Sequence, residues 1–164
     1  MGHYRVSRSA KVAARPALVY SAIADYRQQH PHIVPPEFFP RLEVLEGGVG
    51  AGTRTRVEMR ILGATRVFEQ VVTEPEPGRL LMETNSDGSG LTTFTVDRCD
   101  SPESAYVTIA TEIPVRSGIR GLLERTFLSI ALARIYRKEL AYLAEYMARQ
   151  HSPEGAGRPT TRWS

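Results

Sequence analysis

The chain has 164 residues, the usual size of one domain, and an ordinary composition of 41% apolar and 24% charged residues. A domain of this size buries enough surface to fold without disulfides or metal ions. The net charge of +3 is spread along the chain, and no run of five like charges occurs. This pattern argues against a tail that binds nucleic acid.

Features that would direct the chain to a membrane or an oxidising compartment are missing from the sequence. The first residues contain no apolar segment of signal-peptide type, and no stretch approaches about 18 consecutive apolar residues. The single cysteine, Cys99, cannot form an internal disulfide or a cysteine zinc site. We therefore expect a cytoplasmic protein with no metal, no cofactor, no nucleic-acid partner and no stable membrane insertion.

The first forty residues predict a strand, a helix and an irregular loop. The segment from Tyr4 to Val12 alternates imperfectly between apolar and polar residues, which favours a strand. Pro16 suits the first turn of a helix, and apolar residues at helical spacing continue to about Arg27. Residues 30–36 contain three prolines, so they allow one short helical turn at most.

A period-two pattern then predicts six further strands separated by glycine- and proline-rich turns. In the clearest strand, from Thr53 to Leu62, apolar residues share one face and arginines occupy the other. The glycine-rich residues 47–52 lie between two strands and not before a helix, so they lack the context of a nucleotide-binding loop. They predict a hairpin turn or a flexible flap.

A long helix is predicted from Gly118 to about Arg149. Some thirty residues at ~1.5 Å rise give a length of roughly 45 Å. Its apolar stripe is wide enough to be buried along most of that length, and it consists of Leu122, Leu132, Tyr136, Leu140, Leu143 and Met147. We expect one domain over residues 1–150 and a flexible tail over residues 151–164.

The order of these elements predicts an α+β fold. Consecutive strands joined by tight turns form antiparallel neighbours, and six or seven of them twist strongly. One helix of this length covers the concave face of such a sheet. The predicted architecture is a curved antiparallel sheet wrapped around the C-terminal helix, with one or two short helices after the first strand.

Three segments resemble the START/Bet v 1-like (SRPBCC) superfamily, and most closely its polyketide cyclase/dehydrase and lipid-transport group. Residues 15–26 contain a proline-led helix start, a valine–aromatic pair and an Ile-Ala-Asp ending. Residues 74–81 are similar to the family's Pro-Pro-x-Arg-Leu turn, and a long helix follows Gly118 and Gly121. The resemblance covers roughly residues 3–148. It implies the helix-grip fold with an internal cavity, in a family whose members bind lipids, polyketides, plant hormones or quinones.

The cavity of such a fold lies between the sheet and the helix. Its predicted wall residues are those that the pattern places opposite the helix, with two residues of the helix itself. They are Val57, Met59, Ile61, Leu80, Met82, Thr92, Phe94, Val96, Val107, Ile109, Thr111, Leu132 and Tyr136. Tyr26, His30 and His32 are predicted to lie at the cavity mouth. The competing interpretation of the apolar residues is an ordinary filled core.

A catalytic group is harder to predict from the sequence. Glu69 and Glu83 stand inside strands, and an inward carboxyl would have a raised pKa and act as an acid or base. We expect both to be exposed, and we expect His30 and His32 to be solvated loop residues. Asp25 is predicted to cap the loop after the first helix. No Ser-His-Asp order, phosphate loop or Cys-His pair is present.

The function predicted from these features is binding or transport of a small hydrophobic ligand, such as a lipid, polyketide or quinone. One alternative is an enzyme of the cyclase/dehydratase type, in which converging polar groups act on a molecule held in the same cavity. Another is a partner-binding or chaperone-like protein that uses the sheet face or the tail with Trp163. The ligand and the oligomeric state stay open, because fold alone does not decide them.

Overall fold

The computed structural model describes residues 2–151. The predicted tail from residue 152 onwards, including Trp163, lies outside the described residues. The elements are β1 (His3–Val12), α1 (Pro16–Ala24), a 3-10 helix (His30–His32), β2 (Arg41–Glu46), β3 (Arg54–Ile61), β4 (Ala64–Glu76), β5 (Leu80–Asn85), β6 (Leu91–Arg98), β7 (Ala105–Pro114) and α2 (Gly118–His151).

The seven strands form one antiparallel sheet in the order β1-β7-β6-β5-β4-β3-β2. Every strand from β2 to β7 pairs with its sequence neighbour, which is the arrangement that short turns favour. Strand β1 pairs with β7, so the first and last strands of the domain are neighbours in the sheet. The two α helices and the sheet share one hydrophobic core. The predicted α+β helix-grip architecture is therefore confirmed.

Helix α1 ends at Ala24, so the predicted end near Arg27 is wrong. The cause is the side chain of Asp25, whose Oδ1 accepts hydrogen bonds from the backbone N–H groups of Arg27 (3.1 Å) and Gln28 (3.0 Å). Such a side-chain acceptor stabilises a turn that competes with continued helix. The predicted role of Asp25 as a loop cap is confirmed.

The glycine-rich residues 47–52 form a tethered turn, so the alternative of a flexible flap is wrong. The backbone N–H of Tyr26 donates to the carbonyl of Gly48 (2.9 Å), and that of Gly50 donates to the carbonyl of Ala24 (2.9 Å). These bonds attach the turn to the end of α1. The turn therefore belongs to the framework that fixes α1 on the sheet.

Replacing Gly50 by alanine is expected to lower the free energy of unfolding by about 2 kcal/mol. Gly50 has φ +62°, and an added Cβ would lie 2.5 Å from Oε2 of Glu74. That carboxylate accepts hydrogen bonds from the N–H of Ala51 (2.8 Å) and the hydroxyl of Tyr20 (2.7 Å), and both would be disturbed. Urea unfolding measures the change.

The matched control for this substitution is Gly63→Ala. Gly63 also has a positive φ, +75°, but nothing lies within 4 Å of its added Cβ. It should cost only the backbone strain, about 1 kcal/mol. Equal losses in the two variants would show that Glu74 does not constrain Gly50.

Helix α2 is buried over only part of its length. The predicted stripe is correct from Leu132 to Met147, where Leu140 and Leu143 are also buried. Leu122 is 61% exposed, so the stripe does not extend to the start of the helix as predicted. The first half of α2 stands away from the sheet, which leaves space between them.

Strand β5 has the opposite phase to the predicted one. Leu81 and Glu83 are buried, whereas Leu80 and Met82 lie on the outer face and do not line the interior. Residues 80–82 are all apolar, so alternation alone does not decide which face points inward. Pairing decides it, because Glu83 stands opposite the buried Val72 of β4.

Candidate functional site

A cavity of about 350 Å³ lies between the first half of α2 and strands β3 to β7. Its wall combines sheet residues such as Met59 and Phe68 with Leu128 and Leu132 of α2. The size falls within the range of small-molecule sites, roughly 300–1,000 Å³. The space exists because α2 approaches the sheet closely only from Leu132 onwards.

The mouth of the cavity lies at the β3–β4 hairpin and the beginning of α2. The exposed side chains of Leu62, Arg66, Arg116 and Arg125 line it. Arg116 lies 3.6 Å from the carboxylate of Glu124, which also lines the cavity. The mouth therefore has an excess of positive charge.

Three hydroxyl groups form the inner end of the cavity. Oγ1 of Thr92 lies 2.7 Å from Oγ1 of Thr111, which in turn is hydrogen-bonded to the hydroxyl of Tyr136. Burial raises the pKa of Tyr136, so its hydroxyl stays neutral. Neutral hydroxyls both donate and accept hydrogen bonds. This end of the cavity is suited to a carbonyl or hydroxyl group.

A second polar row follows the side wall. The amide Nδ2 of Asn85 donates to Oγ of Ser89 (3.0 Å), and Nε2 of Gln70 donates to Oδ1 of Asn85 (3.0 Å). These groups line the cavity and satisfy one another. The wall is therefore apolar with two ordered polar regions, and it differs from a purely apolar lipid tunnel.

Glu83 adjoins the inner end of the cavity, directly opposite Thr92 in the β5–β6 pairing. It is only 8% exposed, so the expectation of an exposed position is wrong. Burial raises the pKa of its carboxyl to about 7, although a hydrogen bond from the hydroxyl of Tyr26 (2.6 Å) acts in the opposite direction. The carboxyl thus exchanges its proton near neutral pH.

His30 is also buried, at 2% exposure, so it is not the solvated residue that the sequence predicts. Its Nδ1 lies 2.6 Å from the carbonyl oxygen of Ile23, which only accepts, so Nδ1 carries the proton. Nε2 faces Oε1 of Glu83 at 4.0 Å. Burial lowers the pKa of His30 to about 4, which keeps the ring neutral.

Glu139 is a third buried ionisable group, and it lies on α2 one turn after Tyr136. It is 4% exposed, and its side chain forms no hydrogen bond or ion pair within residues 2–151. Burial, and next the charge of Glu83, raise the pKa of Glu139 well above the ordinary value. Both effects favour the protonated form of the carboxyl. Glu83 and Glu139 together form a buried acid pair.

Six of the predicted wall residues line the cavity: Met59, Ile61, Thr92, Thr111, Leu132 and Tyr136. The others were predicted wrongly as wall residues. Val57, Phe94, Val96, Val107 and Ile109 are buried in the core. Leu80 and Met82 point to the outer face. The core residues lie on the correct face of their strands, but nearer the end where α2 touches the sheet.

The predicted mouth is wrong as well. Tyr26 and His30 stack on each other with ring centroids 4.3 Å apart, deep in the interior. His32 is exposed and stacks on Tyr146 at 5.5 Å, on a part of α2 that does not line the cavity. Glu69 is half-buried on the outer face of the sheet, so the expected exposure is found only in part, and its Oε1 lies 2.7 Å from Nη2 of Arg56.

The family of the chain is decided by a comparison of its sequence with family models. Residues 3–148 match the model described as "Polyketide cyclase / dehydrase and lipid transport". The chain belongs to this family. No curated protein matches the chain. The family description covers both enzymes and carriers, so it does not choose between them.

Solved structures of similar fold agree with this membership. The KanY protein is 26% identical and has a TM-score of 0.78, with 90% of this chain and 99% of that chain covered. A protein from Thermus thermophilus is 19% identical, with a TM-score of 0.74 and coverage of 91% and 100%. The ZhuI aromatase/cyclase from a Streptomyces species is 17% identical, with a TM-score of 0.77 and coverage of 95% and 100%. These likenesses establish the helix-grip fold of this family member.

Residues 2–151 contain neither a cluster of metal ligands nor a helix that could span a membrane. No group of three or more His, Cys, Asp or Glu residues in this range is arranged to hold a metal ion. None of the helices described is both long and apolar enough to cross a bilayer. The cytoplasmic location and the lack of a nucleic-acid partner stay predictions.

Proposed function

We propose that this family member binds a small, mainly apolar molecule in the cavity and carries or sequesters it. The observation that supports the proposal is a cavity of about 350 Å³ with largely apolar walls and a hydroxyl-lined inner end. An engineered cavity of about 150 Å³ holds benzene, so this one has room for two or three rings or a chain of similar volume. Ten buried carbons contribute about 8 kcal/mol before the ordering cost of binding.

The polar groups favour a ligand with at least one carbonyl or hydroxyl group. Thr92, Thr111 and Tyr136 converge on the inner end, where a ligand oxygen exchanges hydrogen bonds with them. A ligand oxygen adds hydrogen bonds to these hydroxyls, and an apolar group of the same size does not. A simple hydrocarbon tail is therefore expected to bind less well than an oxygenated molecule of the same volume.

Blocking the cavity tests this proposal. Leu128→Trp places a larger side chain in the cavity wall and is expected to weaken ligand binding at least tenfold. The matched control is Leu18→Trp, because Leu18 is 43% exposed and does not line the cavity. Binding is measured by native mass spectrometry of protein purified from its own host, and by thermal shifts with a panel of fatty acids, quinones and aromatic polyketides.

Two results would contradict the binding proposal. The first is wild-type protein that is empty under several growth conditions and that no member of the panel stabilises. The second is a bound molecule that Leu128→Trp retains with unchanged affinity, since that molecule lies elsewhere. A stoichiometric molecule that is lost only in the blocked variant supports binding in this cavity.

A second candidate function is proton-transfer chemistry of the cyclase/dehydratase type. The observation that favours it is the position of Glu83, which stands opposite Thr92 and adjoins the inner end of the cavity. Its carboxyl has a pKa of about 7. A carboxyl that titrates near neutral pH delivers a proton to a leaving hydroxyl and accepts one from an activated carbon. Glu83→Gln separates this function from simple binding, because glutamine fills the same space but carries no proton to transfer.

A further inference from the structure

The first half of α2 exposes an unusual set of large apolar side chains. Together they form what we call the apolar patch. Its members, each more than half exposed, are Ile119, Leu122, Leu123, Phe127 and Ile130. Scattered exposed apolar residues need no explanation, but a group concentrated on one helix marks an interaction surface.

The spacing of the patch places it on the outer side of α2. At about 100° per residue, positions 119, 122, 123, 127 and 130 fall within an arc of about 140°. Leu128 and Leu132, which line the cavity, lie on the opposite side of the same helix. This half of α2 is thus apolar on both sides, with one side on the cavity and the other facing solvent.

The charges around the patch are basic. Arg120, Arg134 and Arg137 are exposed near the outer side of α2, and none forms an ion pair within residues 2–151. The acidic residues of this region do not balance them, since Glu124 pairs with Arg116 and Glu139 is buried. The polar residues beside the patch therefore form a basic margin in the folded protein.

We propose that the apolar patch docks on the surface of an anionic lipid bilayer. An apolar stripe with basic flanks is the pattern of helices that lie in the interface plane, with arginines on the lipid phosphates. A second copy of the chain is a poorer occupant, because two-fold pairing of this face would bring the basic margins of the two copies, with Arg120 and Arg134, together.

Docking in this way would place the cavity mouth at the membrane. Gly121, Glu124 and Arg125 belong to the same turns of α2 as the patch and line the cavity, so the opening adjoins the docked surface. A ligand would then pass between cavity and bilayer with little exposure to water. This consequence rests on the proposed binding function, whereas the docking itself needs no ligand.

Flotation with vesicles tests the docking. Wild-type protein is expected to float with phosphatidylcholine vesicles that contain about 30% phosphatidylglycerol, less with pure phosphatidylcholine, and less in high salt. Leu123→Ser combined with Phe127→Ser should reduce binding at least tenfold, and neither residue lines the cavity. Leu18→Ser combined with Tyr106→Ser is the matched control, since both residues are exposed elsewhere.

Several outcomes would overturn the proposal. One is that wild-type protein does not float with anionic vesicles. Another is that the Leu123→Ser, Phe127→Ser variant binds these vesicles as well as wild type does. If wild type binds no vesicles but forms a dimer or binds an acidic partner protein, and the Leu123→Ser, Phe127→Ser variant does neither, the patch is a protein-contact surface. The cavity-blocked Leu128→Trp protein should float like wild type. Wild-type protein that floats with the vesicles but binds no ligand would refute the proposed function and leave the docking intact.

Discussion

Replacing Glu139 by leucine is expected to raise the free energy of unfolding at pH 8 by at least about 2 kcal/mol, with a smaller gain at pH 5. Glu139 is buried without a hydrogen-bond partner within residues 2–151, and its burial raises the pKa of the carboxyl. Leucine keeps the helix propensity of the position and fills the space with apolar atoms. The gain in stability is therefore larger at pH 8, where the buried carboxyl destabilises the wild-type protein more than at pH 5.

The direction of the pH effect follows from proton uptake. The folded protein holds the Glu139 proton to a higher pH than the unfolded chain, which loses it above about pH 4.3. Stability from such a group is present below the unfolded pKa and is lost as pH rises towards the folded pKa. Glu83 acts in the same direction and removes about 3 kcal/mol as pH rises from 4.5 to about 7.

His30 opposes these two carboxyls below neutral pH. Its folded pKa of about 4 lies below the ordinary 6.5, so its contribution is complete above pH 6.5 and is lost as pH falls towards 4. The wild-type protein should therefore lose stability slowly between pH 5 and 6.5, and faster just above 6.5. In His30→Phe this opposing contribution is absent, so the free energy of unfolding is expected to fall more steeply than in wild type between pH 5 and 6.5.

Urea unfolding at half-unit steps from pH 5 to 8.5 measures these slopes. Glu145→Leu is the matched control, because Glu145 lies on the same helix but is exposed. Its stability difference from wild type should stay nearly constant with pH. A Glu139→Leu protein that is less stable than wild type at pH 8 would contradict the prediction, since it would mean that the carboxyl makes a stabilising contact.

The fold was predictable because local signals agree over most of the chain. In β3 the arginines at 54, 56 and 60 alternate with Val57 and Met59, and only one face fits the core. The glycines at the turns separate the strands clearly, and the apolar stripe from Leu132 to Met147 gives the buried part of α2. Strand β5 differs, since its three consecutive apolar residues allow either phase.

The cavity mouth was not predictable from helical periodicity. Apolar residues continue through the first half of α2, from Ile119 to Ile130, so the pattern does not show where the helix leaves the sheet. The helix packs on the sheet only from about Leu132 onwards, so that Leu128 lines a cavity and does not join the core. The prolines near His30 predict an irregular surface loop at the cavity mouth. In the structure the ring of His30 stacks on that of Tyr26 in the interior.

The buried acids were missed for a related reason. Residue-type preference predicts that a strand glutamate is exposed, and only a tertiary contact reverses this for Glu83. That contact comes from Tyr26, 57 residues away along the chain. Glu139 had a local signal, because it lies three residues after Tyr136 and four before Leu143, on the stripe that is buried.

A Glu83→Gln variant is expected to lose at least about a hundredfold in kcat at pH 7 if the family member transforms its ligand. Glutamine accepts the same hydrogen bond from Tyr26 but has no exchangeable acid proton. Glu83 does not itself line the cavity, so its proton reaches the ligand through a neighbouring group, and Thr92 stands directly across the strand. The KM should change little, because the cavity wall is intact.

The pH–rate profile distinguishes this role from a structural one. Wild-type kcat should change with an apparent pKa of about 7, and that limb should vanish in Glu83→Gln. Glu69→Gln is the matched control, since Glu69 is a strand glutamate that pairs with Arg56 and does not line the cavity. A variant that merely disturbs packing lowers the rate at every pH and leaves the limb in place. If neither protein changes the bound molecule and both bind it equally, proton transfer by Glu83 is refuted and the cavity serves a carrier.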